Sequence, residues 1–185
     1  VLDTLLKNGV QVTGVLEPEL KIGVQVFGVP VLGGDKYLGN IPSATALLVN
    51  GLGANPNTFP RQQAFTTMKN KGFSFMSLKH SSAVIGRACE FGEGTQIMAG
   101  SVLQSRVRLG DNVVINTRAS IDHDCIIGAH TFVSPGAILC GQVKVGNETF
   151  IGAGSVILPY IEIGERAIIG AGSVLTKNVL AGTVV

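Results

Sequence analysis

From residue 85 onward the chain places one large apolar residue at every sixth position: Ile85, Phe91, Ile97, Leu103, Leu109, Ile115, Ile121, Ile127, Val133, Leu139, Val145, Ile151, Ile157, Ile163, Ile169 and Leu175. Two residues ahead of each stands a small residue, from Ala83, Cys89 and Thr95 to Ser173, with Ile161 the bulky exception. Directly after the apolar residue comes glycine in half of the cases, at 86, 92, 110, 128, 146, 152, 164 and 170. This pattern predicts short strands that each turn one bulky side chain inward, joined by corners where φ is positive. Glycine is expected at those corners, with Asn116 and Asp122 as the best tolerated substitutes. Three strands per coil make equivalent residues recur every eighteen, as Gly92, Gly110, Gly128, Gly146 and Gly164 do. Stacked coils pair as parallel strands about 4.8 Å apart, with the aliphatic ladder filling the interior.

Residues 1 to 80 carry no such beat. Val1 to Leu6 looks like the back half of an amphipathic helix whose start is missing. Strands are expected at Val10 to Leu16, Thr45 to Val49 and Phe73 to Leu78, with a helix opened by Thr58 and Pro60, running through Met68 and closed by Gly72. That is the βαβ pattern of a small parallel sheet. Gly39 to Ser43 is expected as a surface connection and Lys79 to Ser82 as the hinge into the coil. The whole reads as α/β plus all-β: a small Rossmann-like parallel sheet domain over 1–80, its first strand missing, then a left-handed parallel β-helix of hexapeptide repeats over 81–185. The hand comes from proteins with such ladders, not from the period itself.

Composition narrows the function classes. Charged residues make up 14% and the net charge is +2, with no basic run, so neither a nucleic-acid nor a membrane partner is expected. Mean hydropathy is +0.41, yet no apolar stretch reaches the roughly 18 residues of a spanning helix. Cys89, Cys125 and Cys140 are an odd set without metal spacing, which points to a reducing, cytoplasmic compartment and no metal.

Three segments carry a family resemblance: Asn50-Gly51-Leu52-Gly53, Leu78-Lys79-His80-Ser81-Ser82-Ala83, and the run from Asn116 to Gly141, NTRASIDHDCIIGAHTFVSPGAILCG. They resemble the sialic acid O-acetyltransferase-like sugar acyltransferases, which include N-acetyltransferases of nucleotide-linked amino sugars such as the bacillosamine-pathway enzyme. The resemblance implies His123 as general base, Asp124 as its orienting carboxylate and Gly141 as oxyanion donor. Elementary chemistry agrees. An amine attacking a thioester must shed a proton, and an imidazole of pKa near 6.5 suits that task. Gly141 follows His123 by eighteen residues, so it should stack one coil along. By the same resemblance acetyl-CoA is the cosubstrate, lying between adjacent prisms of a homotrimer along Asn116, Gly152, Ala153, Ala171 and Gly172. A nucleotide-linked sugar is the partner substrate, held by Glu17, Gly51 and Gly53.

One departure stands out: many relatives carry a second histidine where this chain has Phe132. His130, two residues earlier, either replaces that cofactor contact or is a solvated side chain. Three alternatives accompany the leading reading of amine acetylation. They are O-acetylation of sialic acid or a related sugar, a γ-type carbonic anhydrase built on His80, His123 and His130, and a non-catalytic trimeric scaffold. The zinc reading needs three imidazoles converging, and His80 precedes the ladder.

Overall fold

The computed structural model describes all 185 residues. Seventeen two-residue strands between Leu78 and Leu175 wind into a triangular coil. Its first face stacks strands from Leu78–Lys79 to Ile168–Ile169, its second from Val84–Ile85 to Val174–Leu175, and its third from Glu90–Phe91 to Glu162–Ile163. Each strand pairs in parallel with its equivalents one coil away, as Ser120 with Ile138 and Ile121 with Leu139. A parallel β-helix of hexapeptide repeats results. Its interior is the expected ladder: Ile97, Ile115, Ile121, Val133, Leu139 and Ile157 are fully buried. The small residues two positions earlier, such as Val107, Ala119 and Cys125, fill the space beside them. Larger side chains in both places would overfill an interior only three strands around.

The corners differ from the expectation. Positive φ falls three residues after the inward side chain, and mostly on residues other than glycine: Arg106, Asn112, Arg118, Asp124, His130, Gln142 and Glu148 all adopt it. The glycines directly after the ladder residue answer a different demand, because the next coil passes very close. A Cβ on Gly128 would stand 2.6 Å from the backbone nitrogen of Asn147, and one on Gly110 2.6 Å from that of Ala129. Gly128→Ala should therefore lower stability by about 1–3 kcal/mol through overpacking, read as a lower thermal midpoint. A midpoint equal to the native one would contradict this account. Asn116 and Asp122 occupy the same positions without positive φ. Their Oδ1 atoms accept the next amide, at 2.8 Å from Thr117 and 3.0 Å from His123.

The N-terminal part opens with α1, Leu2–Lys7. Strand β1 covers only Val15–Leu16 of the expected Val10 to Leu16. It pairs in parallel with β3, Val29–Gly33, which also forms an antiparallel hairpin with β2, Gln25–Val26; this hairpin was not expected. A separate parallel pair joins β4, Leu47–Leu48, to β5, Ser74–Phe75, through α2, Phe59–Asn70. The three expected strands thus fall into two sheets that share no ladder. Residues 35–40 and 43–45 form 3-10 turns at the two ends of the expected Gly39 to Ser43 connection. Gly72, at φ 85°, lies just past the end of α2 as expected. Thr58 precedes α2, but its hydroxyl donates to the Glu148 carbonyl at 3.1 Å instead of capping the helix. The coil also begins earlier than the expected hinge, since Leu78–Lys79 already pairs with Gln96–Ile97.

The two parts are tied by polar contacts. The Asn50 amide donates to Asn112 Oδ1 at 3.2 Å, Gln96 donates to the Asn50 carbonyl at 2.6 Å, and Lys69 bonds Glu93 at 2.7 Å. No helix is long and apolar enough to cross a membrane.

Candidate active site

The corner between the second and third faces carries His123 and Asp124. Here the chain runs Asp122-His123-Asp124, and Asp124 takes the left-handed position at φ 61°, a conformation aspartate tolerates better than most residues. Its Oδ2 lies 2.8 Å from His123 Nδ1. A neutral imidazole in this arrangement carries its proton on Nδ1 and presents a bare Nε2. Asp124 is gripped from the coil before by Arg106, whose Nε reaches Oδ1 at 2.6 Å and Nη2 reaches Oδ2 at 2.9 Å. Hydrogen bonding to Arg106 first, and to His123 second, holds this carboxyl well below its ordinary range. It stays ionised throughout the interval in which an imidazole titrates.

One coil onward, the Gln142 amide donates to the His123 carbonyl at 2.9 Å and the Tyr160 amide to the Gly141 carbonyl at 3.1 Å. Gly141 therefore lies directly along the edge from His123, as the eighteen-residue offset requires. The imidazole covers it so closely that a Cβ on Gly141 would meet Nε2 at 2.7 Å and Cε1 at 2.8 Å. In this turn the amides of Cys140 and Gln142 are spent on Ile157 and His123 carbonyls, while that of Gly141 has no acceptor within the chain. The imidazole thus lies close against Gly141, whose peptide N–H is unpaired within the chain. Beside it, Asp124, Gln142, Lys144, Tyr160 and Glu162 line a shallow groove.

Comparison with known proteins fits this geometry. The family model for the bacterial transferase hexapeptide (six repeats) matches residues 106–141 and 142–177. A histidine-to-asparagine variant of perosamine N-acetyltransferase from Caulobacter crescentus, in complex with CoA and GDP-perosamine, is 30% identical. It superposes with a TM-score of 0.87 over 99% of this chain and 85% of that one. The chain belongs to the hexapeptide-repeat sugar acyltransferases. The acetyltransferase domain of PglB from Neisseria gonorrhoeae gives a TM-score of 0.89 at 29% identity, covering 98% of this chain and 87% of that domain. That domain is also known in complex with acetyl coenzyme A. A curated relative, UDP-3-O-acylglucosamine N-acyltransferase from Shewanella denitrificans, is 33% identical over 60 residues, 32% of this chain but only 17% of the relative's length.

In this sugar acyltransferase the remaining candidates spread over other places. Asn116, Gly152, Ala153, Ala171 and Gly172 line up along the edge between the first and second faces. Within one chain the whole second face separates them from His123. His130 lies on the third edge. It accepts from the Asn112 amide at 3.0 Å through Nδ1 and meets the Phe65 ring of α2 edge-on, with 5.5 Å between centroids. It is a half-buried part of the seam, neither a free surface side chain nor a neighbour of the Asn116 column, and burial lowers its pKa. Phe132 stacks on Phe150 at 5.9 Å. His80 stands on the same edge as Asn116, so the three histidines occupy three different edges. No group of three His, Cys, Asp or Glu within the chain is placed to hold a metal. Cys125 is buried, which pushes its thiol up to about 11.

Glu17 follows β1, and its carboxylate accepts the Glu19 amide at 3.2 Å. Gly51 and Gly53 follow β4, where a Cβ on either would meet nothing within 4 Å and φ is not positive. The chain's own packing does not call for glycine there. Arg106 escaped the sequence reading. Its signal was an arginine eighteen residues before an aspartate, an offset that places two side chains one above the other on the same edge.

Proposed function

We propose that this acyltransferase moves the acetyl group of acetyl-CoA to the amine of a nucleotide-linked amino sugar. The observation that carries the reading is the His123 imidazole held by Asp124 and packed against Gly141, whose amide has no acceptor within the chain. The amine attacks the thioester carbonyl and its proton passes to Nε2. The oxygen of the tetrahedral adduct becomes an oxyanion that the Gly141 N–H holds. When the adduct collapses, the C–S bond breaks and the departing thiolate takes the proton back from the imidazolium, restoring the base. Asp124 keeps the ring in the tautomer that can accept. The CoA and GDP-perosamine bound to the C. crescentus enzyme are what support this donor and this class of acceptor for the present chain.

The working unit in this reading is a homotrimer of left-handed β-helices. The outward column of the second face is apolar apart from Ser120, with Val84 60%, Ile138 44% and Val174 61% exposed and Val102 and Val156 between them. Turning this face toward a threefold axis buries the stripe. It also brings the His123 edge of one subunit beside the Asn116, Gly152 and Ala171 edge of the next, which makes the donor groove. The residues before Leu78 form the Rossmann-like sugar-nucleotide domain, and the coil from Leu78 onward forms the acyl-transfer domain. Glu17 and the bare backbone at Gly51 and Gly53 meet the sugar nucleotide, close approach being what glycine permits there. Both substrates belong to the cytoplasm.

The test is thiol release from acetyl-CoA against a panel of UDP-, GDP- and CMP-linked sugars. Turnover with a 4-amino or other amino sugar is expected. Turnover only with hydroxyl acceptors would replace the amine by an alcohol, and none at all would reject the reading. Light scattering should return three chains, and Ile138→Glu should lower that number together with the rate.

A further inference from the structure

Arg106 belongs to neither the ladder nor the seam. Its side chain is 62% exposed, and it stands at a left-handed corner, φ 62°, with its amide tied to the Arg87 carbonyl at 2.9 Å. It shares a column with the reacting groups: Arg106 on one coil, His123 and Asp124 on the next, Gly141 on the one after. Exposed arginines on such an edge are ordinarily free to wander. This one gives two nitrogens to the two oxygens of a single carboxylate, at 2.6 and 2.9 Å, the fork geometry that fixes a carboxylate's plane as well as its position. Oδ2 is then the atom shared with His123 Nδ1.

We propose, on the acetyl-transfer reading above, that Arg106 is a positioning residue: it locks the Asp124 carboxylate so that the His123 ring keeps its proton on Nδ1 and its Nε2 over Gly141. Asp124 is 30% exposed, so without the fork water competes for both oxygens and the carboxylate rotates about its side-chain bonds. The ring is 48% exposed and has no other side-chain hydrogen bond. Its orientation therefore passes through Asp124 to Arg106. The charged and titratable groups facing the ring are few. Asp122 and Asp124 lie in its own turn, Arg106 on the coil before, and Lys144, Tyr160 and Glu162 across the groove on later coils. Lys144 and Glu162 neutralise one another at 2.7 Å, and a substitution at Arg106 leaves Asp122, Asp124 and Tyr160 as they are, so it changes one charge near the ring.

Two consequences separate under substitution. Removing the positive charge makes the imidazolium less costly, so the acidic limb of kcat/KM shifts to higher pH. Removing the fork loosens the ring, so kcat falls. Arg106→Gln should lower kcat about tenfold, change KM for both substrates by less than about twofold, and raise the acidic limb by roughly half a pH unit. Arg106→Lys keeps the charge but offers a single point, so it should return the limb to its native place while recovering only part of kcat. Nitrogen NMR of the ring, assigned with His123→Asn, reads the same thing without turnover. The native ring should be almost wholly the Nδ1-protonated tautomer, and Arg106→Gln should mix in the other.

A native tautomer balance in a folded Arg106→Gln protein overturns the proposal, as does a raised KM at unchanged kcat, which would make Arg106 a substrate contact. If the glutamine variant unfolds, Arg106→Lys decides: full native kcat would mean that the fork is not needed. An inactive native protein with an ordered Nδ1 tautomer would sink the acetyl-transfer reading and leave the clamp itself standing.

Discussion

Replacing His123 by alanine is expected to lower acetyl transfer by about 10² or more while leaving the fold and the thermal midpoint almost unchanged. The ring sits on an edge, half exposed, and its one side-chain partner is Asp124 at 2.8 Å. No part of the buried ladder rests on it. Exposed side chains of this kind usually change stability by less than about 0.5 kcal/mol when truncated, so a rate loss cannot be ascribed to unfolding. What disappears is the only group at this edge able to take the amine's proton near neutral pH. The measurement is steady-state thiol release with both substrates saturating, paired with a melting curve. A rate within about twofold of native would remove His123 as the base and return the column of Arg106, Asp124 and Gly141 to a purely structural role.

The second large effect is expected at Gly141. In Gly141→Ala the new methyl group would sit 2.7 Å from His123 Nε2 and 2.8 Å from Cε1, well inside ordinary contact distance, so the ring must leave. It cannot do so freely, because Nδ1 is bonded to Asp124 and Asp124 to Arg106. Swinging the imidazole away breaks that chain of bonds, and a displacement of about 1 Å at a reacting atom costs on the order of 10² in rate. The alanine keeps its N–H, so the loss measures the misplaced base and not a missing oxyanion donor. Gly39→Ala is the natural control, since a Cβ there meets nothing within 4 Å and should change neither rate nor stability. A Gly141→Ala enzyme as active as the native one would mean that the ring does not rest over this glycine in solution.

Some of this was readable in the residues before any coordinates. The six-residue beat placed the ladder correctly, and the sum of three beats put Gly141 one rung beyond His123. The same beat misassigned its glycines. Positive φ looked like the reason for Gly110, Gly128 and Gly146, but Arg106, Asp124, Gln142 and Glu148 carry it instead, and the glycines yield space to the next coil. A period shows that a residue type recurs; it does not distinguish a backbone torsion from a close approach. The packing of His130 was not readable for a related reason. Its neighbour Phe65 lies far away along the chain, on α2, and nothing local announces it.

What the sequence determined by itself is the coil and the chemistry written along one of its edges. A solenoid contacts only its neighbouring turns, so a fixed offset in residue number becomes a fixed offset in space, and His123, Asp124, Gly141 and, unnoticed, Arg106 are all related by that rule. The tertiary structure alone decided that His130 meets Phe65 of α2 across the seam. It also decided that the imidazole lies over Gly141 with Asp124 forked by Arg106, and that β1 and β4 sit in separate sheets. These depend on side-chain torsions and on pairings between distant segments joined by loops of irregular length, for which position along the chain supplies no ruler.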